Sequence, residues 1–123
     1  MKILLIDDDA VFRQTLARTL TRRGCVCVEA ADSAQALQQL HEQAPDACVL
    51  DLRIADESGL QLLPQLLEIS AELNILMLTG YSSIATTVEA IKRGAVNYLA
   101  KPASADDILR ALQNASDSLG LEP

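Results

Sequence analysis

Five short strand-like runs alternate along this chain with five stretches in which apolar residues recur at helical spacing. Strands are predicted over about residues 2–6, 25–29, 47–50, 75–78 and 96–99. The first and fourth runs are continuously aliphatic, which is typical of strands buried on both faces of a parallel sheet. Because strands that alternate with helices form right-handed βαβ units, we predict an α/β fold with a doubly wound five-stranded parallel sheet.

Cap and stop residues mark the predicted helix ends. Ser58 with Gln61, and Ser104 with Asp107, have the spacing of capping boxes. Pro64 lies inside the third helix and should kink it or remove one of its hydrogen bonds. The other predicted signals are Asp9 as an N-cap, Asp32 or Ser33 and Ser82 or Ser83 as helix starts, and Gly24 and Gly94 as stops.

Length, charge and hydropathy argue against a nucleic-acid-binding or membrane protein. The 123 residues fit one domain, and 10 basic against 17 acidic residues argue against direct binding of nucleic acid or of an anionic membrane surface. No apolar run approaches the roughly 20 residues of a membrane helix, and the chain begins with a strand pattern instead of a signal sequence. We therefore expect a cytoplasmic protein with no membrane partner.

Three cysteines, an odd number, suit a reducing compartment better than a disulfide framework. Cys25 and Cys27 share a face of the second strand, where a metal or redox pair is conceivable. The chain has no CxxC motif, and its one histidine, His41, lies on a predicted helix. The spacing therefore favours packing of Cys25, Cys27 and Cys48 as small apolar side chains.

Acidic residues follow two of the predicted strands. Asp7 and Asp8 come after the first strand, and Asp51 comes after the third. With the strand order 2-1-3-4-5 these strand ends are neighbours, so the three carboxylates should converge at one edge of the sheet. Like charges so close need a cation, and an oxygen-only ligand set selects a hard divalent ion, most naturally Mg²⁺.

Two further strand ends supply donors. Thr79 closes the fourth strand and Lys101 follows the fifth, so a hydroxyl and an ammonium reach the same edge. A carboxylate flanked by a metal, a hydroxyl and a lysine is equipped to accept a phosphoryl group. Asp51 is the predicted acceptor because it stands alone on the middle strand, whereas Asp7 and Asp8 form a pair suited to metal binding.

Each of these residues also has an ordinary interpretation: a paired aspartate as a turn and helix cap, a threonine bonded to its local backbone, a lysine in solvent. Their joint placement at successive strand ends favours the site. A rival is a Mg²⁺-dependent phosphatase or phosphotransferase with an aspartyl-phosphate intermediate, which needs a second acid in a DxD motif. Here Asp51 is followed by Leu52 and Arg53, so that acid is missing.

Four short motifs resemble the receiver domain of two-component response regulators, the CheY-like family with a flavodoxin-like (βα)₅ fold. They are IDDD at 6–9, DLR at 51–53, LTG at 78–80 and YLAKP at 98–102. Two longer strings, DESGL at 56–60 and the segment 78–103, are similar to the PrrA, RegA and ActR group of redox-responsive transcriptional regulators. The resemblance covers essentially the whole chain.

The resemblance implies a role for each residue of the acidic edge. Asp51 would take the phosphoryl group from a sensor histidine kinase. Asp8, Asp51 and the backbone carbonyl of Arg53 would bind Mg²⁺ directly, and Asp7 would act mostly through water. Thr79 and Lys101 would bind the phosphoryl oxygens. Such a domain is a signalling switch and not an enzyme in the usual sense.

The resemblance also implies a switch. Phosphorylation would draw the Thr79 hydroxyl inward, Tyr98 would turn into the vacated space, and the surface of the fourth helix, fifth strand and fifth helix would change. The ordinary alternative for Tyr98 is a half-buried aromatic on an edge strand. The Lys101-Pro102 peptide bond would be cis, as proline permits.

The same resemblance bears on the domain's context. We expect a receiver domain over residues 1–118 and a tail or the start of a linker over 119–123, within a frayed end that begins near Ser116. A PrrA-like regulator would carry a C-terminal helix-turn-helix for transcriptional control and could form a homodimer on phosphorylation. The alternative is a stand-alone receiver or a pseudo-receiver that acts as an interaction module.

Overall fold

A parallel sheet of five strands forms the centre of the fold. The computed structural model describes residues 1–54, 56–80 and 84–121, with the backbone alone for 114–121. The strands in chain order are Lys2–Ile6 (β1), Val26–Ala30 (β2), Ala47–Asp51 (β3), Arg53–Ile54 (β4), Glu57–Ser58 (β5), Asn74–Thr79 (β6) and Asn97–Ala100 (β7). The order β2-β1-β3-β6-β7, parallel throughout, confirms the predicted order 2-1-3-4-5.

Five helices cover the two faces of the sheet. They are Ala10–Arg22 (α1), Ser33–Gln43 (α2), Gly59–Ile69 (α3), Ile84–Lys92 (α4) and Ala105–Leu121 (α5). Buried residues of α2, α3 and α4 form one apolar cluster with the sheet, and those of α1 and α5 form another on the opposite face. The predicted doubly wound architecture is therefore confirmed.

Strand β1 shows why the apolar runs are continuous. Leu4 and Ile6 belong to the cluster under α2, α3 and α4, whereas Ile3 and Leu5 belong to the cluster under α1 and α5. All four side chains are at most 2% exposed. Because successive side chains of a strand point to opposite faces, both faces demand apolar residues here.

Several predicted helix ends are confirmed. The side chain of Asp9 accepts a hydrogen bond from the Phe12 amide at 3.0 Å, and Asp32 caps α2 in the same way. Ser104 and Asp107 bond each other's amides at 3.1 and 3.2 Å, as a capping box requires. Gly24 and Gly94 follow α1 and α4 with φ of 91° and 113°, which suits glycine.

The capping box predicted for α3 is wrong. Ser58 is the N-cap of that helix, but its side chain makes no capping hydrogen bond. The amide of Gly59 instead donates to the backbone carbonyl of Leu52 at 2.7 Å, so a backbone contact holds the start of the helix. The predicted start of α4 at Ser82 or Ser83 lies outside the described residues.

Helix α3 runs unbroken past Pro64. Proline has no amide hydrogen to give to the carbonyl four residues earlier, which here belongs to Leu60. The Nη1 atom of Arg93, just after α4, donates to that carbonyl at 2.9 Å. A side chain therefore replaces the hydrogen bond that Pro64 removes, and it connects the end of α4 to α3.

Two other segments differ from the sequence prediction. The polar connection after β3 contains the antiparallel hairpin β4–β5, in which Ile54 is fully buried. Helix α5 continues to Leu121, beyond Ser116 where a frayed end was predicted. Among the described helices, none is both long enough and apolar enough to cross a membrane.

Candidate functional site

Three carboxylates meet at the carboxyl edge of the sheet. Asp7 and Asp8 follow β1 and Asp51 ends β3, and these two strands pair in register with Ile6 opposite Leu50. Ligand oxygens of Asp7, Asp8 and Asp51 all lie within 4.8 Å of one another. Asp7 is buried, Asp51 is half-buried and Asp8 is exposed, so the cluster opens to solvent on one side.

Lys101 reaches this cluster from the end of β7. Its Nζ donates to Asp7 Oδ2 at 2.7 Å and to Asp51 Oδ2 at 3.1 Å. The side chain is 21% exposed, so both ion pairs are largely screened from water. Three carboxylates against one ammonium leave an excess of negative charge that favours binding of a cation.

The proton affinities of Asp51 and Lys101 reflect this crowding. Burial and the charge of Asp7 raise the pKa of Asp51, although Lys101 and the Arg53 amide act in the opposite direction. Burial lowers the pKa of Lys101, but its hydrogen bonds to Asp7 and Asp51 and their charges outweigh burial and raise it. Lys101 therefore stays protonated beside a carboxylate that is costly to ionise.

Asp7 is held by contacts on both sides. Its Oδ1 accepts from the Asp9 amide at 2.9 Å, and its backbone carbonyl accepts from Arg13 Nη1 at 2.6 Å. Arg13 Nε in turn donates to Glu29 on β2 at 2.9 Å. Arg13 was not among the predicted site residues, because one arginine in the first turns of a helix has no distinctive sequence pattern.

The segment after Asp51 packs backbone against backbone. A Cβ atom added to Gly59 would lie 2.1 Å from the Asp51 carbonyl oxygen, so only glycine fits there. The Glu57 carboxylate accepts hydrogen bonds from both the amide and the hydroxyl of Ser33, which ties the β4–β5 hairpin to the start of α2. Glu57 and Gly59 belong to the string DESGL that supports the family resemblance, but their spacing did not predict the contacts with Ser33 and Asp51.

Thr79 lies where the sequence placed it. It ends β6, is 1% exposed, and lines one cleft together with Asp51, Arg53 and Lys101. The Lys101 amide donates to the Thr79 carbonyl at 2.7 Å, so the two residues are joined through the backbone. The Lys101-Pro102 peptide bond is cis, as predicted.

Tyr98 lies on β7 beside Met77 of β6. Its ring packs against the apolar cluster under α2, α3 and α4. Its hydroxyl is buried and has no hydrogen-bond partner among the residues that the structure describes. The side chain is therefore partly buried, with its hydroxyl removed from solvent.

The cysteines fit the packing interpretation. Cys25 and Cys48 are buried, Cys27 is half-buried, and all three are free thiols. Burial raises the pKa of Cys27 and of Cys48. A raised pKa disfavours the thiolate that metal binding and redox chemistry require.

The acidic cluster suits a small hard cation. Its donors are carboxylate oxygens, and their spread of up to 4.8 Å is close to the roughly 4.2 Å between opposite ligands of an octahedral Mg²⁺. Asp8 is the most accessible of the three carboxylates. The donor set therefore fits a divalent ion that enters from the open side.

Solved structures share this fold. A response regulator from Burkholderia pseudomallei is 45% identical with a TM-score of 0.89, over 97% of this chain and 71% of that one; its crystal structure contains a phosphorylated aspartic acid, a calcium ion and citrate. A CheY-like receiver domain protein from Methanospirillum hungatei is 24% identical with a TM-score of 0.88, over 99% and 98% of the two chains, and supports the fold.

Curated relatives agree with the resemblance to the RegA and ActR group. ActR, an acid tolerance regulatory protein of Rhizobium meliloti, is 44% identical over 89% of this chain, which spans 57% of ActR. RegA, a photosynthetic apparatus regulatory protein of Rhodobacter capsulatus, is 42% identical over 98% of this chain, which spans 66% of RegA. Residues 3–113 match the family model of the response regulator receiver domain, and the chain belongs to this family of two-component signalling domains.

Proposed function

We propose that this receiver domain accepts a phosphoryl group on Asp51 from a sensor histidine kinase, in a Mg²⁺-dependent reaction. The observation that carries the proposal is the position of the Asp51 carboxylate. It lies in one cluster with the Asp7 and Asp8 carboxylates, and the Lys101 ammonium is 3.1 Å from Asp51 Oδ2. An acidic nucleophile with a cation already in contact is arranged for transfer of an anionic group.

The step uses few groups of this chain. An oxygen of Asp51 forms a bond to phosphorus as the bond from phosphorus to the kinase's histidine nitrogen breaks, and that nitrogen keeps the electron pair. The Lys101 ammonium would then neutralise charge on the phosphoryl oxygens, and the Thr79 hydroxyl would donate a hydrogen bond to one of them. Both residues line the cleft that contains Asp51, which supports this assignment.

A bound Mg²⁺ would neutralise charge on Asp51 and on the incoming phosphoryl group. Asp8, Asp51 and the Arg53 backbone carbonyl are the proposed direct ligands. Asp7 would act mostly through water, as the resemblance implies; it is the most buried of the three carboxylates. The crystal structure of the Burkholderia pseudomallei regulator contains both a phosphorylated aspartic acid and a calcium ion, which supports a role for a divalent cation.

The proposed output is a change in the surface formed by α4, β7 and α5. The Lys101 amide bonds the Thr79 carbonyl, so movement at Thr79 would reach β7 directly. Tyr98 lies on that strand, and its buried hydroxyl could gain a partner as the loop after β6 shifts. Thr79 and Tyr98 are therefore the proposed switch residues.

The wider context follows from the relatives. This chain corresponds to 57–66% of ActR and RegA, so we propose that residues 1–118 act as the receiver domain of a longer transcriptional regulator. Its DNA contacts would come from a C-terminal helix-turn-helix and not from this acidic domain. Phosphorylation would then control DNA binding, with a homodimer as one route.

The test is intact-mass analysis after incubation with acetyl phosphate and Mg²⁺. The wild-type chain should gain the mass of one phosphoryl group, and Asp51→Asn should gain none. Asp46→Asn is the matched control, because it removes an acidic side chain that follows no β-strand and lines no part of the described cleft. No gain in the wild type would overturn the proposal and favour an interaction module that never accepts phosphate.

A further inference from the structure

The Lys101 ammonium has an aromatic partner besides its two carboxylates. Its Nζ lies 4.5 Å from the centroid of the Phe12 ring on α1. The amide of Phe12 donates to the N-cap Asp9 at 3.0 Å, so the first turn of α1 fixes the backbone that carries the ring. At this distance an ammonium is attracted by the electron-rich face of the ring.

We propose that Phe12 is a positioning residue for phosphoryl transfer, which holds the Lys101 ammonium beside Asp51 through a cation–π contact. The inference rests on the proposed function of Lys101. The Asp7 and Asp51 carboxylates also contact this ammonium, but both belong to the acidic cluster that must accommodate a metal ion. The ring would hold the ammonium without taking part in that cluster.

Charge balance explains why an aromatic ring suits this position. A third carboxylate near Lys101 would add to the negative excess and compete for the cation. The ring attracts the ammonium without carrying a net charge. Because the lysine side chain is 21% exposed, partial desolvation strengthens the attraction above that of a fully exposed pair.

The contact also survives the reaction. When Asp51 becomes an acyl phosphate, Lys101 must exchange its bond to Asp51 Oδ2 for a phosphoryl oxygen. Phe12 belongs to a different element, α1, and takes no part in that exchange. The ring can therefore help Asp7 to keep the ammonium in place while the contact with Asp51 changes.

A purely structural role for Phe12 makes a different prediction. The ring packs against the apolar cluster under α1 and α5, so its volume alone could matter. Packing depends on ring size, whereas a cation–π contact depends on the electron density of the ring face. The two roles separate if electron density is changed while size is nearly kept.

Phe12 is the chain's single phenylalanine, so residue-specific incorporation of fluorinated phenylalanines labels this position alone. We expect the rate of phosphorylation by acetyl phosphate with Mg²⁺ to fall stepwise with one, two and three ring fluorines, about two- to fivefold in total. The unfolding midpoint should fall only slightly along the series, because the contact also stabilises the fold. Equal rates along the series, which a role in packing alone predicts because ring size is nearly kept, would overturn the proposal.

A second measurement does not depend on phosphorylation. With 4-fluorophenylalanine at position 12, the ¹⁹F resonance should shift in Lys101→Met, which removes the ammonium and keeps a long side chain. An unchanged resonance would exclude the contact even if Asp51 is phosphorylated normally. If the resonance shifts but the wild type gains no phosphoryl mass, the contact holds, and both the proposed function and the task given to Phe12 fail.

Discussion

The two ends of the sheet use the same residue types for opposite purposes. At the amino end Asp46 accepts the Lys2 amide at 2.8 Å and returns its own amide to the Lys2 carbonyl at 2.8 Å, while Lys2 Nζ donates to the Gln43 carbonyl at 2.9 Å. At the carboxyl end Asp51 shares one lysine, Lys101, with a second carboxylate. At the first end each charged side chain has a backbone partner, whereas at the second end two carboxylates share one ammonium.

The difference shows which of the two aspartates is energetically costly to ionise. Asp46 is exposed, and its carboxylate accepts a hydrogen bond from the Lys2 backbone amide. Asp51 is half-buried, and burial together with the charge of Asp7 raises its pKa. The amino end therefore contributes stability, whereas the carboxyl end holds an unfavourable charge that a metal ion and a phosphoryl group can exploit.

The largest expected effect on stability concerns the carboxyl end of the sheet, where Gly59 packs against the Asp51 backbone. Gly59→Ala should destabilise the fold by about 4 kcal/mol, because the added Cβ would lie 2.1 Å from the Asp51 carbonyl oxygen. Gly80→Ala is the matched control at the same edge, since its Cβ would meet nothing within 4 Å. Urea unfolding of both variants measures the difference, and equal stabilities would contradict the close backbone approach.

Removing one carboxylate charge at each end of the sheet should change stability in opposite directions. Asp46→Asn should cost about 1 kcal/mol, because it weakens a satisfied acceptor at the amino end. Asp51→Asn, measured without metal, should leave stability unchanged or raise it by up to about 1 kcal/mol, since it relieves the carboxylate crowding. Chemical denaturation at neutral pH decides the matter, and a large loss of stability in Asp51→Asn would contradict the account.

A smaller effect concerns the Leu60 carbonyl, which Pro64 leaves without a helical partner. Arg93→Met should destabilise the protein by about 1 kcal/mol, a modest value because the arginine side chain is 37% exposed. In a Pro64→Ala background the new amide can serve Leu60, so the same substitution should cost less. Additive effects in this double-mutant cycle would show that Arg93 does not replace the lost bond.

The smallest effect is a pH dependence. A carboxyl group whose pKa in the folded state exceeds its ordinary value of 3.8 favours folding when protonated, and this contribution is lost as pH rises through the raised pKa. Wild-type stability should therefore fall relative to Asp51→Asn as pH rises from below 3.8 through the raised pKa, with metal excluded. Urea unfolding across that range should show this sign; a relative gain by the wild type would mean that the pKa is lowered instead.

Local patterns predicted most of the architecture, because buried strands and amphipathic helices have distinct periods. They also placed Asp7, Asp51, Thr79 and Lys101 at one edge, since parallel strands end together. The two-residue strands of the β4–β5 hairpin were missed because they are too short to show a period.

What the sequence could not predict depends on contacts between distant residues. The bond from Arg93 to the Leu60 carbonyl joins residues 33 positions apart. The contact between Lys101 and the Phe12 ring likewise joins the first helix to the end of the last strand. Such contacts depend on packing geometry, and no local spacing encodes them.

The most direct test of the account is the effect of Mg²⁺ on thermal unfolding, because a ligand that binds the native state alone must stabilise it. Millimolar Mg²⁺ should raise the unfolding midpoint of the wild type and of Asp46→Asn by several degrees, and should have little effect on Asp8→Asn and Asp51→Asn. A wild-type midpoint that does not respond to Mg²⁺, or an equal rise in all four proteins, would contradict a metal site built on the crowded carboxylates.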